Sequence, residues 1–441
     1  MNHISLIVFC LSITCSFSQN HQLIDTTDYE KRKTLSKQFE TKYKIFNDQV
    51  KGSYRGKMRK EVLSFYKESQ THFLEIINNK KLLFEDRFQK YVDSLSFSLK
   101  QKNPILKDED INLYLTKNPY PNAFSIGDGT IILNIGLFSF FENEHQLFSV
   151  ISHEVAHQVL EHSKKSINKR AHINSSVLSN QSNISKSIKA NKYNRGTRSF
   201  SLLKSLLYAD GEERRQQEIE ADSLGYVLFN NASSQKNDFI DALLLLKKYD
   251  SVPSIVIDST VYTKVFNIPE QAFKSKWLEN EDFKKYNYDF YKSKINLDSL
   301  KDHPEIDDRI SKLKLSFSEL NSDFKIDHSN SKRFNNLKQI AKQAAIENFY
   351  YLNEYGLSLY LILNRLETEN NNSNYYKKWI GINFEALYEA KKKYQLNRYV
   401  DRLSPNNQSE SYQRFLNFIW NLNLEEIKKI ADYYNTTTNL N

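Results

Sequence analysis

The chain has 441 residues, of which 39% are hydrophobic, so it can bury a substantial core and exceeds the usual size of a single domain. Its formal net charge of +9 suits anionic membrane headgroups or acidic polypeptides; nucleic acid, which charge alone would also permit, is not an expected partner. Both cysteines, Cys10 and Cys15, stand near the start, so no disulfide is expected in the rest of the chain.

Residues 1–18 are predicted to be a cleaved signal peptide. An apolar stretch that begins at Ile4 is followed by small residues at Ser16 and Ser18, the positions that a signal peptidase reads. The alternatives are an uncleaved anchor and a lipoprotein at Cys15, although the residues before that cysteine form a poor lipobox. We therefore expect export across the inner membrane to the periplasm, either as a free protein or in peripheral contact with the outer membrane.

The first part of the chain is predicted to be helical and to lead into a small sheet. Residues 26–100 carry apolar residues at helical intervals, and Pro104 closes this region. Two strands are predicted at 111–115 and 130–135, joined through a loop that contains a glycine turn. A buried amphipathic helix is predicted at 142–162. Its apolar stripe consists of Leu147, Val150, Ile151, Val155 and Val159.

The second part is predicted to be helical with irregular connections. Residues 163–211 are rich in Ser, Asn and Lys and are expected to be a partly ordered loop ending in a short helix at 201–208. A strong helix at 213–229 follows, and 237–315 is predicted to be helices around irregular connections. A polar linker at 321–336 leads into paired helices that look like tetratricopeptide-type hairpins without a strict repeat. These helices are predicted at 337–354, 356–367, 374–394, 409–420 and 423–434.

The segment with the most specific chemistry is His153-Glu154-Val-Ala-His157, an HExxH sequence on the predicted helix. Two histidines four residues apart project from one face about one turn apart, so both imidazoles can reach one tetrahedral zinc ion. Glu154, next to the first ligand, can then act as the general base that takes a proton from the attacking water. The pattern predicts a zinc hydrolase with one Zn²⁺ per chain.

A zinc hydrolase needs a third protein ligand and one open coordination position. The metzincin arrangement is excluded because its glycine and third histidine are absent. A carboxylate ligand soon after the HExxH sequence is excluded as well, since residues 162–209 contain no Asp or Glu. The acidic helix beyond this gap places Glu218 and Asp222 on one face. Asp210, Glu212 and Glu213 are the first carboxylates after the gap, but Glu218 can complete the zinc site while Asp222 hydrogen-bonds a ligand imidazole. Glu220 is expected to point elsewhere.

Four elements within residues 85–315 resemble the metallopeptidase family of HtpX, BepA and the CAAX prenyl proteases. The His153–His157 segment resembles the family's zinc helix, and Arg215–Asp222 resembles its ExEAD helix, in which the residue matching Glu218 is the third ligand. The chain has no membrane-spanning stretch, so it is more similar to the periplasmic, BepA-like branch. The resemblance implies an α+β fold that is mostly helical. It comprises a gluzincin-type catalytic domain with a small sheet beside the HExxH helix, and a helical C-terminal region.

The other two elements imply further site residues. Asn122–Ser125 and the strand after Gly129 resemble the family's NAF loop and edge strand, although Gly127-Asp128 stands where many members have Pro-Gly. That strand is expected either to pair with the substrate backbone or to be an ordinary core strand. The predicted substrate-strand residues are Asn122, Ala123, Thr130, Ile131 and Ile132.

His303-Pro304 with Arg309 resembles the family's HP…R element. It implies that His303 or Arg309 donates to the oxyanion of the reaction. An alternative is that His303 binds the metal as a latch that keeps the enzyme latent. The other histidines, among them His162, are expected at the surface or at helix ends.

The expected organisation is a signal peptide at 1–18, a helical N-terminal segment at 19–85, a zinc metallopeptidase domain at 86–320 and a helical region at 321–441. The expected activity is that of a metalloendopeptidase which hydrolyses unfolded or misassembled cell-envelope proteins, with outer-membrane proteins among the substrates. One alternative is a latent or inactive chaperone-like protein that contains zinc. Another is an exopeptidase, although no motif for capturing a free amino terminus is present.

Overall fold

The fold is that of a computed structural model of the chain. It describes residues 28–175, 211–233, 235–248, 256–279, 306–321, 331–369, 374–403 and 408–439. Among the described helices, none is long and apolar enough to cross a lipid bilayer.

Helices dominate the described part of the chain, and the strands are few and short. The strands are β1 (Leu82–Leu83), β2 (Asn112–Thr116), β3 (Ala123–Ser125) and β4 (Thr130–Asn134). The helices before the long gap are α1 (Tyr29–Ser53), α2 (Gly56–Asn78), α3 (Asp86–Lys102), α4 (Gly136–Phe140), α5 (Glu144–Val159) and α6 (His162–Ser175). Those after it are α7 (Gly211–Ala232), α8 (Asp238–Lys248), α9 (Thr260–Phe266), α10 (Ile306–Ser316), α11 (Lys332–Tyr351), α12 (Tyr355–Thr368), α13 (Asn374–Lys392), α14 (Glu410–Asn421) and α15 (Leu424–Asn439).

The four strands form one mixed sheet in the order β1-β2-β4-β3. β4 pairs in parallel with β2, with Leu113 opposite Ile131, and antiparallel with β3, with Phe124 opposite Ile132. All five residues of β4 are buried. A central strand covered on both faces needs apolar residues at successive positions, which explains why the Thr-Ile-Ile-Leu run does not alternate.

The sheet lies between two layers. On one face, Ile132 and Leu82 pack with Phe39 of α1 and Phe73 of α2. On the other face, residues that alternate with these along β2 and β4 enter the main core together with α3, α5 and α7. The N-terminal helices therefore cover one face of the sheet. Main-core residues of β2 and β4 are Leu113, Leu115, Ile131 and Leu133.

A second core holds the C-terminal helices together, and it also includes residues that precede position 321. Residues 257–277, expected in the peptidase domain, pack into this second core through Val261, Tyr262 and Trp277. The long helix α11 joins the two cores, because Phe334 near its start lies in the main core and Ile346 near its end lies in the second. The domain boundary at 321 stays a prediction.

The predicted class is confirmed: the fold is α+β and mostly helical, with a small sheet beside the HExxH helix and a helical C-terminal region. Two local predictions are wrong. Residues 162–175 form α6, where a loop was expected. The polar linker was expected to extend to residue 336, but α11 already begins at Lys332. The predicted short helix at 201–208 lies outside the described residues. The resemblance of the C-terminal pairs to tetratricopeptide hairpins stays a prediction.

Candidate metal centre

Helix α5 carries the HExxH sequence through the middle of the main core. Its start is fixed by Asn143, whose side chain accepts a hydrogen bond from the backbone N–H of Gln146 at 3.0 Å. Leu147, Ile151 and Val155 are fully buried on its inner side. This packing holds the helix rigidly, so the histidines on the adjoining face have fixed positions.

Three of the predicted residues converge on one point. The Nε2 atoms of His153 and His157 lie 3.0 Å apart. The carboxylate of Glu218 on α7 reaches both rings, with Oε2 3.6 Å from His153 Nε2 and Oε1 3.5 Å from His157 Nε2. Donors bound tetrahedrally at zinc distances would be separated by about 3.3 Å. The donor set and its spacing therefore fit a divalent metal ion with an open fourth position.

A close approach of α7 to α5 brings Glu218 to the histidines, and Gly225 makes it possible. A Cβ atom at Gly225 would lie only 2.9 Å from the Cα of His153 and 3.3 Å from the backbone oxygen of Ser152. Both contacts are with backbone, which cannot rotate away. The crossing of the two helices therefore depends on a residue without a side chain.

Gly225→Ala is expected to destabilise the protein by about 1–3 kcal/mol, because the added methyl group must push the helices apart. The same shift moves Glu218 away from the histidines, so zinc affinity should fall by about tenfold. Thermal unfolding and zinc titration measure the two effects. Gly52→Ala in α1 is the matched control, since a Cβ there meets nothing within 4 Å. Equal stability of both variants would contradict this account.

Asp222 and Arg309 form a buried ion pair behind the ligands. Oδ1 of Asp222 lies 3.0 Å from Nδ1 of His153. Arg309 on α10 donates from Nε and Nη2 to the two oxygens of Asp222, each at 2.6 Å, and its Nη1 lies 3.0 Å from Glu218 Oε2. The guanidinium thus orients both a ligand carboxylate and the carboxylate that faces a ligand imidazole.

This network sets the charges of the site. Burial disfavours the charged form of Asp222, but Arg309 outweighs it and lowers the pKa of Asp222 to about 2. Burial likewise opposes a charge on His153, yet hydrogen bonds with Asp222 and Glu218 raise its pKa to about 9. Burial and the neighbouring His153 lower the pKa of His157.

His162 lies beside the three converging residues. It is the first residue of α6, in agreement with the expected helix end, but it does not lie at the surface. It is fully buried, and its Nδ1 lies 2.9 Å from Nδ1 of His157. Its Nε2 lies 3.3 Å from Oε2 of Glu220, which is not one of the three converging residues, as expected, but contacts this histidine behind them. Helical periodicity gives no signal for a contact five residues beyond His157. The contact between His162 and His157 arises because Glu161 adopts a left-handed conformation, with φ of 53°. This residue turns the chain back after the end of α5.

A pocket opens beside the ligands, and Glu154 lines it together with His153. Glu154 is largely buried, with 9% of its surface exposed. Asn122 and Ala123 form part of the rim, and most of the remaining wall is apolar. These apolar residues are Leu137, Val150, Phe239, Ala242, Leu243, Leu246 and Ile306.

The edge of the sheet beside this pocket is β3. Two roles were considered for the strand with Thr130, Ile131 and Ile132, pairing with substrate or an ordinary core strand. The second agrees with the structure, because β4 is hydrogen-bonded on both sides, to β2 and to β3. It has no free backbone edge to offer. The outer position belongs to β3, which begins at Ala123.

The HP…R element is described only in part. Arg309 lines the pocket and directs Nε, Nη1 and Nη2 at Asp222 and Glu218. Donation from Arg309 to a reaction oxyanion stays a prediction. His303 and Pro304 lie outside the described residues, so both roles considered for His303 stay predictions as well.

Comparison with known proteins agrees with the site. The family model described as peptidase family M48 matches residues 86–316, which is more than half of the chain. The beta-barrel assembly-enhancing protease of Yersinia pestis is 28% identical over 81 residues. That similarity covers 18% of this chain and 16% of the Yersinia protein. The matched family confirms the resemblance stated from the zinc helix and the ExEAD helix, and the chain therefore belongs to peptidase family M48, the metallopeptidases.

Proposed function

We propose that the protein is a zinc-dependent metalloendopeptidase that cleaves unfolded or misassembled polypeptides of the cell envelope. The observation that carries this proposal is the convergence of His153, His157 and Glu218 beside a pocket lined by Glu154. A purely structural zinc site would be closed by a fourth protein ligand and would need no carboxylate beside it. One Zn²⁺ per chain is proposed.

The residues of the chain account for the steps of peptide hydrolysis. A zinc ion held by the three ligands would supply Lewis acidity and a lowered pKa of the attacking water. Glu154 takes the proton from that water and then delivers it to the leaving amine. Arg309 and Asp222 keep Glu218 and His153 in place throughout, because their own charges are paired in a buried network.

Substrate binding is proposed to use the edge of the sheet. An extended peptide can add as a strand along β3, where backbone hydrogen bonds hold it regardless of sequence. Ala123 on β3 and the preceding Asn122 line the same pocket as Glu154, so such a peptide would pass the catalytic base. Backbone recognition requires an extended chain, and this favours unfolded substrates over folded ones.

The proposed location is the periplasm, where the protein is also proposed to contact the outer membrane peripherally. It is supported by the signal-like residues 1–18 and by the name of the Yersinia relative, which associates that protein with beta-barrel assembly. Outer-membrane proteins that fail to assemble are accordingly the proposed substrates. Mass spectrometry of the protein from a cell-envelope fraction would test the location: an intact Met1 or a cytoplasmic pool would contradict it.

Cleavage of casein by the purified protein tests the activity. We expect internal cuts, loss of cleavage after treatment with a zinc chelator, and recovery when Zn²⁺ is added. Mass spectrometry of the products separates the proposed endopeptidase from an exopeptidase, which would trim only from an end. Zinc binding without any cleavage would contradict the endopeptidase proposal and favour the latent or chaperone-like alternative.

A further inference from the structure

The buried residue His162 has no place in the proposed hydrolysis, yet both of its ring nitrogens face functional groups. It is the first residue of α6, directly after the left-handed residue Glu161. One nitrogen meets the imidazole of His157 and the other meets the carboxylate of Glu220. The second oxygen of Glu220 accepts a hydrogen bond from Gln216 at 2.9 Å, so that carboxylate is itself oriented.

The protons of this chain of contacts can be placed without conflict. His157 directs Nε2 at His153 and Glu218, and a nitrogen that binds a metal carries no proton. The proton of neutral His157 is then on Nδ1, where it donates to Nδ1 of His162. The proton of His162 must therefore be on Nε2, which faces Glu220. Donors and acceptors alternate from the ligand to the carboxylate.

We infer that His162 and Glu220 are a positioning pair that fixes the tautomer and the ring orientation of His157 for metal binding. The other ligand, His153, faces Asp222 directly at 3.0 Å. Both ligand imidazoles are thus supported by carboxylates of α7, one directly and one through an intervening imidazole. The three acidic residues Glu218, Glu220 and Asp222 then serve a single centre. This inference rests on the proposed zinc site but not on the proposed peptidase activity.

The two members of the pair are expected to contribute unequally. His162 is fully buried, whereas the side chain of Glu220 is 41% exposed, so water can replace part of its contribution. Removing the acceptor at His162 takes away a hydrogen bond that orients the buried ring of His157. Loss of a group that supports a metal-binding histidine usually weakens metal affinity by about 10- to 100-fold.

Zinc affinity of the full chain, measured by competition with a chromophoric chelator, tests the inference. His162→Leu should weaken zinc binding by about 10- to 100-fold. His162→Asn should keep most of the affinity, because its amide oxygen can take the place of Nδ1 as the acceptor. Glu220→Gln should show a smaller loss than His162→Leu. His172→Leu, an exposed histidine of the same helix, is the control and should bind zinc like the wild type.

The visible spectrum of the Co²⁺-substituted protein provides a second reading, since it reports the ligand geometry. We expect an altered spectrum for His162→Leu and a spectrum close to that of the wild type for His162→Asn. Equal zinc losses in these two variants would overturn the inference, because they would indicate a space-filling role. Unchanged affinity in both His162→Leu and Glu220→Gln would overturn it too. The wild type separates the two proposals: zinc binding without proteolysis contradicts only the activity, and no zinc binding contradicts both.

Discussion

Replacing Glu154 with glutamine should lower kcat/KM for polypeptide cleavage by about 10²- to 10⁴-fold, while zinc affinity stays close to that of the wild type. Glutamine has nearly the same shape as glutamate but cannot accept the proton of the attacking water. Glu154 lines the pocket, and the three converging ligand groups belong to other residues, so the metal site should remain intact. Cleavage of casein and zinc content, measured on the same preparation, give the two quantities.

The matched control is Glu161→Gln, which changes an exposed carboxylate just after the end of the same helix. It should retain wild-type activity. If Glu154→Gln kept more than about a tenth of the wild-type activity, the role of general base would have to be assigned to another residue. If it lost zinc as well, Glu154 would have to contribute to metal binding.

Arg309→Ala should reduce the free energy of unfolding by about 3–5 kcal/mol and should also weaken zinc binding. The change removes the partner of two buried carboxylates, those of Asp222 and Glu218, and leaves their charges uncompensated. Chemical denaturation and zinc titration measure the two effects. Lys312→Ala, an exposed position on the same helix, should be close to the wild type.

A double mutant separates the two contributions of Arg309. In Arg309→Ala with Asp222→Ala, one of the uncompensated charges is gone, so stability should partly recover although zinc affinity should not. The pair also has a defined pH dependence. Asp222 has its pKa lowered from 3.8 to about 2, so its stabilising effect is present above pH 4 and is lost as the pH falls towards 2. Additive losses in the double mutant would contradict this coupling.

The C-terminal helices are connected by packing to the part of the fold that holds the pocket. Helix α11 contributes to both cores, and residues 257–277 lie in the second core although they follow α8, which forms part of the pocket wall. The C-terminal region is therefore packed as part of the same body as the catalytic site.

Much of the metal centre was predictable from the sequence because its signals are local. The spacing of His153 and His157 places both on one helix face, and the same argument pairs Glu218 with Asp222 four residues later. The gap without acidic residues then left few choices for the third ligand. These predictions require only that the segments are helical, and the apolar stripe of α5 indicates this from the sequence.

The residues that were missed or misplaced depend on contacts between distant segments. Strand order is an example: the sequence left open whether the apolar run of β4 lies at the sheet edge or in the core. β3 takes the outer position because it folds back antiparallel on β4. A continuous apolar run is more consistent with a central strand, and this was the available signal. His162 reached the site only through the left-handed turn at Glu161, which no periodic pattern announces.

The sequence by itself predicted the metallopeptidase family, the three candidate metal ligands and the mostly helical α+β fold, since each prediction rests on residue types at local spacings. Only the tertiary structure decided which strand is free at the pocket, which side chains support the ligands and where the two cores divide. Those features depend on packing between segments far apart in the chain, such as α5 against α7 and 257–277 against the C-terminal helices. Local propensity does not encode them, because many pairings bury a similar apolar surface and only the assembled core selects one.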